Sequence, residues 1–137
     1  MFHPWQDLAS RTDVEVFWHA LTARRLGATD GDHVIVLSPH QLQTQRRCTL
    51  AHELAHIDLG HVGGCSAHEE DAAAVLAARR LITVGDLADA LVWSQDRTVV
   101  ADSLWVDLDT LDTRLSHLTA GERDHITQRL AAREDGA

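Results

Sequence analysis

The chain has 137 residues, of which 45% are hydrophobic and 24% charged, as expected for one globular domain with a modest core. Its 21 acidic residues outnumber its 12 basic residues, and the net charge of -9 argues against a phosphate-binding surface and does not favour anionic membranes. Two cysteines are too few for a disulfide scaffold, and no apolar run reaches the roughly 20 residues of a membrane-spanning helix. The first residues show no basic stretch followed by an apolar one, so we expect a cytoplasmic protein with reduced thiols.

The first third of the chain predicts short strands. Residues 14–18 alternate and then turn apolar, which is typical of a strand or of the start of a helix, and residues 33–37 form the clearest strand because β-branched side chains dominate them. Ser38 followed by Pro39 at the first helical position and Gln41 at the third is a helix-start signature. We therefore predict a helix from there to Gly60, a natural C-terminal stop.

Capping residues divide the remainder of the chain into helices. Gly63 and Gly64 predict a break, and Ser66 with Glu69 forms a capping box that starts a helix running to Ile82. Further helices are predicted after a Thr83 cap to about Trp93, over 99–104 and 108–117, and after a Thr119 cap. Strands followed by helices indicate an α+β fold in a single domain over 1–137, whose part 83–137 is helical.

An H-E-x-x-H motif lies on the predicted helix before Gly60. His52 and His56 are four residues apart and therefore lie on one helix face, from which both imidazoles can reach the same ion. Glu53 lies beside His52 and can reach a water on that ion, as the general base of zinc peptidases does. The alternative is a surface helix that carries two histidines by chance.

A catalytic zinc site usually has three protein ligands, and the third must come from elsewhere in the chain. The extended metzincin motif would place a histidine six residues after His56, whereas His61 comes five after it. Glu69 and Glu70 are better candidates, as in two-His-one-Glu sites. We favour Glu70, because Glu69 already has a capping role and Glu70 shares its face with small and apolar residues. In the remaining alternative, both are favourable charges in the first turn of a helix.

The predicted chemistry is hydrolysis of a peptide bond, with Glu53 taking a proton from the attacking water and passing it to the leaving amine. Many zinc peptidases stabilise the oxyanion with Tyr or His, but the chain has no Tyr. His33, His61 and His68 are candidates among which the sequence does not choose. A substrate peptide is expected to add as a strand beside residues 34–38.

Two other features of the sequence have more than one interpretation. Cys48 lies one turn before His52 and either borders the site or is a small core residue. His61, Cys65 and His68 have the spacing of a second metal site, although no fourth ligand is evident.

The motif and its surroundings resemble the ImmA/IrrE family of metallopeptidases. The matching residues are Arg47–His56, Gly60–His61, Glu70–Ala73 and Ala77–Ile82, and the resemblance is densest over about 33–82. Its combination of H-E-x-x-H with E-x-x-A and A-A-x-x-L-I is much more specific than the first motif alone.

The resemblance implies a small zincin-like fold in which a short N-terminal β-sheet precedes an active-site helix and several C-terminal helices. It implies Zn²⁺ on His52, His56 and Glu70, with Glu53 catalytic. It also implies a protein substrate, since family members cleave helix-turn-helix repressors in mobile elements, phages or stress responses. Two positions differ from the family pattern: Ala74 stands where Asn or Asp is frequent, and Thr83 where Pro is frequent.

Residues 100–111 have the spacing of a helix-turn-helix, with Trp105 in place of the usual turn glycine. Residues 85–137 carry 11 acidic residues against 5 arginines, whereas phosphate contacts need positive charge. We therefore expect no direct binding of nucleic acid, and interpret the region as a helical support that closes the core or helps dock the substrate.

Three functions are compatible with these patterns. The leading one is a zinc endopeptidase that acts on a transcriptional repressor. The others are a non-catalytic regulator that binds its partner, and the toxin-like half of a two-gene module with a helix-turn-helix protein. The intact Glu53 favours the first over the second.

Overall fold

The computed structural model describes residues 1–22, 24–63 and 65–136, so the predicted break at Gly64 lies outside the described residues. Their elements are α1 (Pro4–Ser10), β1 (Glu15–Trp18), β2 (Gly27–Thr29), β3 (Val34–Leu37), α2 (Gln43–Leu59), α3 (Ala67–Leu81), α4 (Val84–Trp93), α5 (Arg97–Leu104), α6 (Leu108–Ser116) and α7 (Ala120–Gly136). This arrangement confirms the predicted α+β class and is that of a small zincin-like domain.

The three strands form one mixed sheet in the order β1-β3-β2. β1 runs parallel to β3, with Glu15 opposite Val34, and β2 runs antiparallel to it, with Gly27 opposite Leu37. The prediction that a substrate strand adds beside residues 34–38 is therefore wrong, because β3 is the central strand and both its sides are already paired. Within the described residues, the open edges of the sheet belong to β1 and β2.

Helix α2 begins at Gln43, so the predicted start at Ser38 is wrong. The Ser38 hydroxyl accepts from the backbone N–H of His40, and the Gln41 side-chain amide donates to the carbonyls of Leu26 and Ser38 at 3.0 and 2.8 Å. These local bonds form a turn that ties the start of α2 to the segment before β2. The predicted stop at Gly60 is confirmed, since its φ of 73° is the left-handed conformation that glycine adopts without strain.

Helix α2 lies between the sheet and the other helices. Leu50 and Leu54 on one face pack with the sheet residues Ile35 and Leu37 in one buried cluster. The small residues of the opposite face pack into the helical core, which also contains Ala73, Ala77 and Leu81 of α3. Small side chains on both helices let α2 and α3 approach closely, and this contact brings the motif helix to the residues that follow Ser66.

The capping signals locate the later helices. Ser66, Thr83 and Asp107 accept a backbone N–H from the first turn of α3, α4 and α6, and α7 follows Thr119 as predicted. Helix α5 begins at Arg97, two residues before the prediction, because Asp96 caps it. Helix α4 packs against α5 and α7, while α6 packs against α3. None of the helices described has both the length and the hydropathy needed to cross a bilayer.

Candidate metal centre

His52, His56 and Glu70 meet where α2 packs against α3. The Nε2 atoms of the two histidines are 3.1 Å apart, and each lies 3.0 Å from a different oxygen of the Glu70 carboxylate. The His56 side chain is 2% exposed, whereas those of His52 and Glu70 are 25% and 51% exposed. The cluster is therefore buried at His56 and open to solvent at Glu70.

The donor set of this cluster fits a zinc ion. Two imidazole nitrogens and a carboxylate oxygen are its usual ligands in catalytic sites, and donors around a tetrahedral ion lie about 3.3 Å from one another. The separations of 3.0 and 3.1 Å are close to that spacing. The cluster also keeps one side open, as a catalytic site requires.

The structure separates the roles of the two neighbouring glutamates. The Glu69 carboxylate accepts from the backbone N–H of Ser66 at 3.1 Å, and the Ser66 hydroxyl accepts from the backbone N–H of Glu69 at 3.2 Å, so the predicted capping box is confirmed. The hydrogen bonds that the Glu69 carboxylate accepts from Ser66 lower the pKa of Glu69. Glu70, one residue later, points at the two histidines. The geometry favours Glu70 as the third ligand, and the ligand assignment itself stays a prediction.

Glu53 is buried next to this cluster, with 6% of its surface exposed. Burial, followed by the negative charge of Glu70, raises the pKa of Glu53 to about 8. Strand β2 closes over it, because a Cβ atom on Gly27 would lie 3.1 Å from Glu53 Oε1 and 2.5 Å from Thr49 Cγ2. A carboxyl group whose pKa lies nearer neutral pH can both accept and return a proton, as general acid–base catalysis requires.

His61 and Cys65 lie on the other side of the His56 ring. The Nδ1 atoms of His61 and His56 are 2.9 Å apart, and Cys65 Sγ is 3.4 Å from His56 Nδ1. The predicted grouping of His61 and Cys65 with His68 is wrong, because His56 takes the place of His68, which is exposed. When Nε2 of His56 faces a metal, a hydrogen bond at Nδ1 fixes the orientation of the ring.

An open cleft of about 830 Å³ runs over the cluster. Residues of the segment before β2 and of β2 itself line one side, α2 forms the floor, and α3 and the start of α6 line the other side. Cys48 has both predicted roles, since its side chain lines this cleft and is also part of the helical core. Ala74 lines the cleft as well, so the family position that often holds Asn or Asp offers no polar group here.

None of the three histidines proposed as oxyanion stabilisers is among the residues that line the cleft. The His33 ring is exposed and lies 3.1 Å from the Asp32 carboxylate, and His61 faces His56. The cationic groups that do line the cleft are Arg24 and Arg25, and the positive charge of Arg25 acts on Glu53.

Sequence reasoning missed these arginines and Gly27. The available signal for Arg24 and Arg25 is that they form an adjacent basic pair in an acidic chain. For Gly27, a glycine in a strand often marks a close approach of the backbone to another element.

One of the comparisons with known proteins returns a match, and it is to a family model. The searches of curated proteins and of solved structures return no significant match. The family model of the IrrE N-terminal-like domain, peptidase M78, matches residues 9–116, which include the sheet, the motif helix, α3 and the walls of the cleft. Since this match covers most of its length, the chain belongs to the IrrE N-terminal-like (ImmA/IrrE-type) family of metallopeptidases.

Proposed function

We propose that this protein is a zinc-dependent endopeptidase that cleaves a helix-turn-helix transcriptional repressor. The observation that carries the proposal is the meeting of His52, His56 and Glu70 within 3.1 Å of one another at the floor of an open cleft, with Glu53 buried beside them. The family match supports a peptidase, and the repressor substrate is our inference from the resemblance to the ImmA/IrrE family.

In this proposal His52, His56 and Glu70 hold the zinc ion. The ion supplies Lewis acidity, which makes water a better nucleophile and polarises the substrate carbonyl. Glu53 takes the proton of the attacking water and delivers it to the leaving amine. Its burial removes bulk water that would compete for that proton, and the tight contact with Gly27 holds the carboxyl group in position.

The edge of β2 is the favoured place for the substrate backbone. Gly27 and Thr29 line the cleft, and β2 pairs only with β3 among the described residues. An extended segment of the substrate can therefore add to this edge through main-chain hydrogen bonds. The segment to be cut must be unfolded or become so, which favours a linker or a frayed helix end of the repressor.

A cleavage assay tests the catalytic claim. The zinc-loaded protein is incubated with a helix-turn-helix repressor, in parallel with Glu53→Gln and with Glu69→Gln as the matched control. We expect cleavage by the parent and by Glu69→Gln. The cleavage rate of Glu53→Gln should be lower by a factor of at least about 100, because a general base contributes about 10²–10⁴-fold. Equal outcomes for the parent and Glu53→Gln would favour a regulator that acts by binding alone.

Zinc stoichiometry tests the ligand set independently of cleavage. The measurement is made in Cys65→Ser protein, so that the thiol beside His56 cannot hold an ion. This protein and its Glu69→Ala variant are expected to retain about one zinc ion per chain after dialysis, whereas adding His52→Ala or Glu70→Ala abolishes zinc binding. Loss of zinc in Glu69→Ala with retention in Glu70→Ala would reverse the assignment of the third ligand.

A further inference from the structure

The two ring nitrogens of His56 face two different sets of ligand atoms. Nε2 points at His52 and Glu70, as described above. Nδ1 points at His61 Nδ1, at 2.9 Å, and at Cys65 Sγ, at 3.4 Å. The three donor atoms of this second set lie within 4.8 Å of one another.

The second set suits a thiophilic metal ion. A zinc ion bound to imidazole nitrogen and thiolate sulfur separates those atoms by about 3.6 Å, and two imidazole nitrogens by about 3.3 Å. Small side-chain rotations therefore bring all three donors into range. The backbone N–H of His61 donates to the carbonyl of His56, which fixes the two residues relative to each other, and Cys65 is exposed, so an ion can enter from solvent.

The two sets share one ring, and this limits how they can be used. A neutral imidazole has a single lone pair for a metal, while its other nitrogen carries a proton. With an ion on Nδ1, the Nε2–H of His56 donates to the Glu70 carboxylate, 3.0 Å away. With an ion on Nε2, the Nδ1–H donates to His61. Each set therefore provides the hydrogen bond that orients the ring for the other.

We propose that His56 Nδ1, His61 and Cys65 form a second site for a thiophilic divalent metal ion, and that an ion bound there excludes one from the His52–His56–Glu70 cluster. The second site is thus an inhibitory position for the same ion. It involves neither His52 nor Glu53, and its existence does not depend on peptidase activity.

Titration of the metal-free protein with Co²⁺ tests this proposal, because a thiolate on Co²⁺ gives a near-ultraviolet charge-transfer band that imidazole and carboxylate ligands do not give. We expect the band in the parent and in Cys48→Ala, the matched control that removes the other thiol. Cys65→Ser should lose the band and keep the visible bands of bound Co²⁺. No band in the parent, or a band that persists in Cys65→Ser, would overturn the site.

Two further measurements test its relation to the first cluster. In His52→Ala the band should persist and grow, because the competing cluster is weakened. Its loss would mean that Cys65 reaches an ion held by the first cluster, which contradicts a separate site. The parent should bind about one Co²⁺ per chain at saturation, and two ions per chain would contradict mutual exclusion.

Discussion

Glu53 is buried in surroundings that favour its neutral form, and this has a measurable cost for the fold. Burial and the nearby Glu70 raise its pKa from 4.5 to about 8, so the unfolded chain ionises Glu53 at a lower pH than the folded chain does. Its contribution to the free energy of unfolding is complete below pH 4.5 and is lost as the pH rises towards 8.

We therefore predict that Glu53→Gln stabilises the metal-free protein as it inactivates it. The gain should reach about 3 kcal/mol at pH 7 and vanish near pH 4, because Gln stays neutral throughout. Urea unfolding of parent and variant in the presence of a chelator measures it. Glu69→Gln is the control of opposite sign, since the pKa of Glu69 is lowered by its bonds to Ser66. A gain for Glu53→Gln that is the same at pH 4 and pH 7 would contradict the argument.

Gly27 provides a second test at a single position. In Gly27→Ala the new methyl group meets Thr49 Cγ2 at 2.5 Å and Glu53 Oε1 at 3.1 Å, so β2 must move away from α2. We expect a loss of about 1–3 kcal/mol in stability, as for other overpacked sites, together with reduced cleavage. Adding Thr49→Ser removes Cγ2 and keeps the hydroxyl that donates to Gln41, so the double variant should recover part of both losses. Full activity of Gly27→Ala would show that the contact does not position Glu53.

At the scale of elements, the turn between α5 and α6 carries a residue that does not suit its backbone. Trp105 ends α5 with a φ of 57°, a left-handed conformation that glycine tolerates better than other residues. The residue is 65% exposed, and the Arg47 side chain donates to its carbonyl at 2.7 Å. The turn is therefore held through backbone atoms and not through the ring.

We predict that Trp105→Gly raises the free energy of unfolding by about 0.5–1 kcal/mol, because it relieves the left-handed strain and loses little buried surface. Trp105→Ala is the control, since it removes the ring and keeps the Cβ atom, and it should change stability far less. Thermal unfolding of the three proteins measures both effects. Equal gains from Gly and Ala would point to the ring and not to the backbone.

Elements that the sequence predicts correctly have local causes. The capping box at Ser66 and the stop at Gly60 depend on hydrogen bonds or dihedral angles within a few residues, so the sequence predicts both. The sequence does not predict strand β2. Its three residues, which begin with Gly27, have no strand pattern of their own and become a strand only by pairing with β3. The predicted start of α2 at Ser38 is wrong because the Gln41 side chain forms a hydrogen bond with the carbonyl of Leu26, which lies fifteen residues away in the sequence.

The candidate site divides in the same way. His52, Glu53 and His56 lie within one motif. Helical spacing places Glu70 on the same face of α3 as its small and apolar residues, so the sequence also favours Glu70. The position of His61 beside His56 and that of the arginines over the cleft depend on how the chain leaves α2 and on how the segment before β2 crosses it. No short-range pattern encodes either path.

At the scale of the whole molecule, one buried ion pair joins the family domain to the last helix. Arg114, whose side chain is 2% exposed, donates to the carbonyl of Ile82 at 2.8 Å and forms an ion pair with Glu122 of α7. Arg79 of α3 also contacts this carboxylate, at 3.0 Å. Helix α7 lies beyond the residues that the family model matches, so these contacts attach it to α3 and α6, while its packing on α4 closes the core.

This network should control the acid stability of the protein. The hydrogen bond from Arg114 holds the pKa of Glu122 well below its ordinary value, so the stabilisation is present above about pH 4.5 and is lost as the pH falls further. Glu122→Gln leaves Arg114 buried without a counter-charge, and we expect it to lower the free energy of unfolding by about 3 kcal/mol at pH 7. The difference from the parent should shrink as the pH falls below 4.5, because the parent then loses the same interaction.

The control variant is Asp124→Asn, an exposed change on the same helix, which should shift the free energy of unfolding by less than about 0.5 kcal/mol. Urea unfolding between pH 3 and pH 7 measures all three proteins, and a deficit for Glu122→Gln that does not change with pH would assign the loss to packing and not to the ion pair.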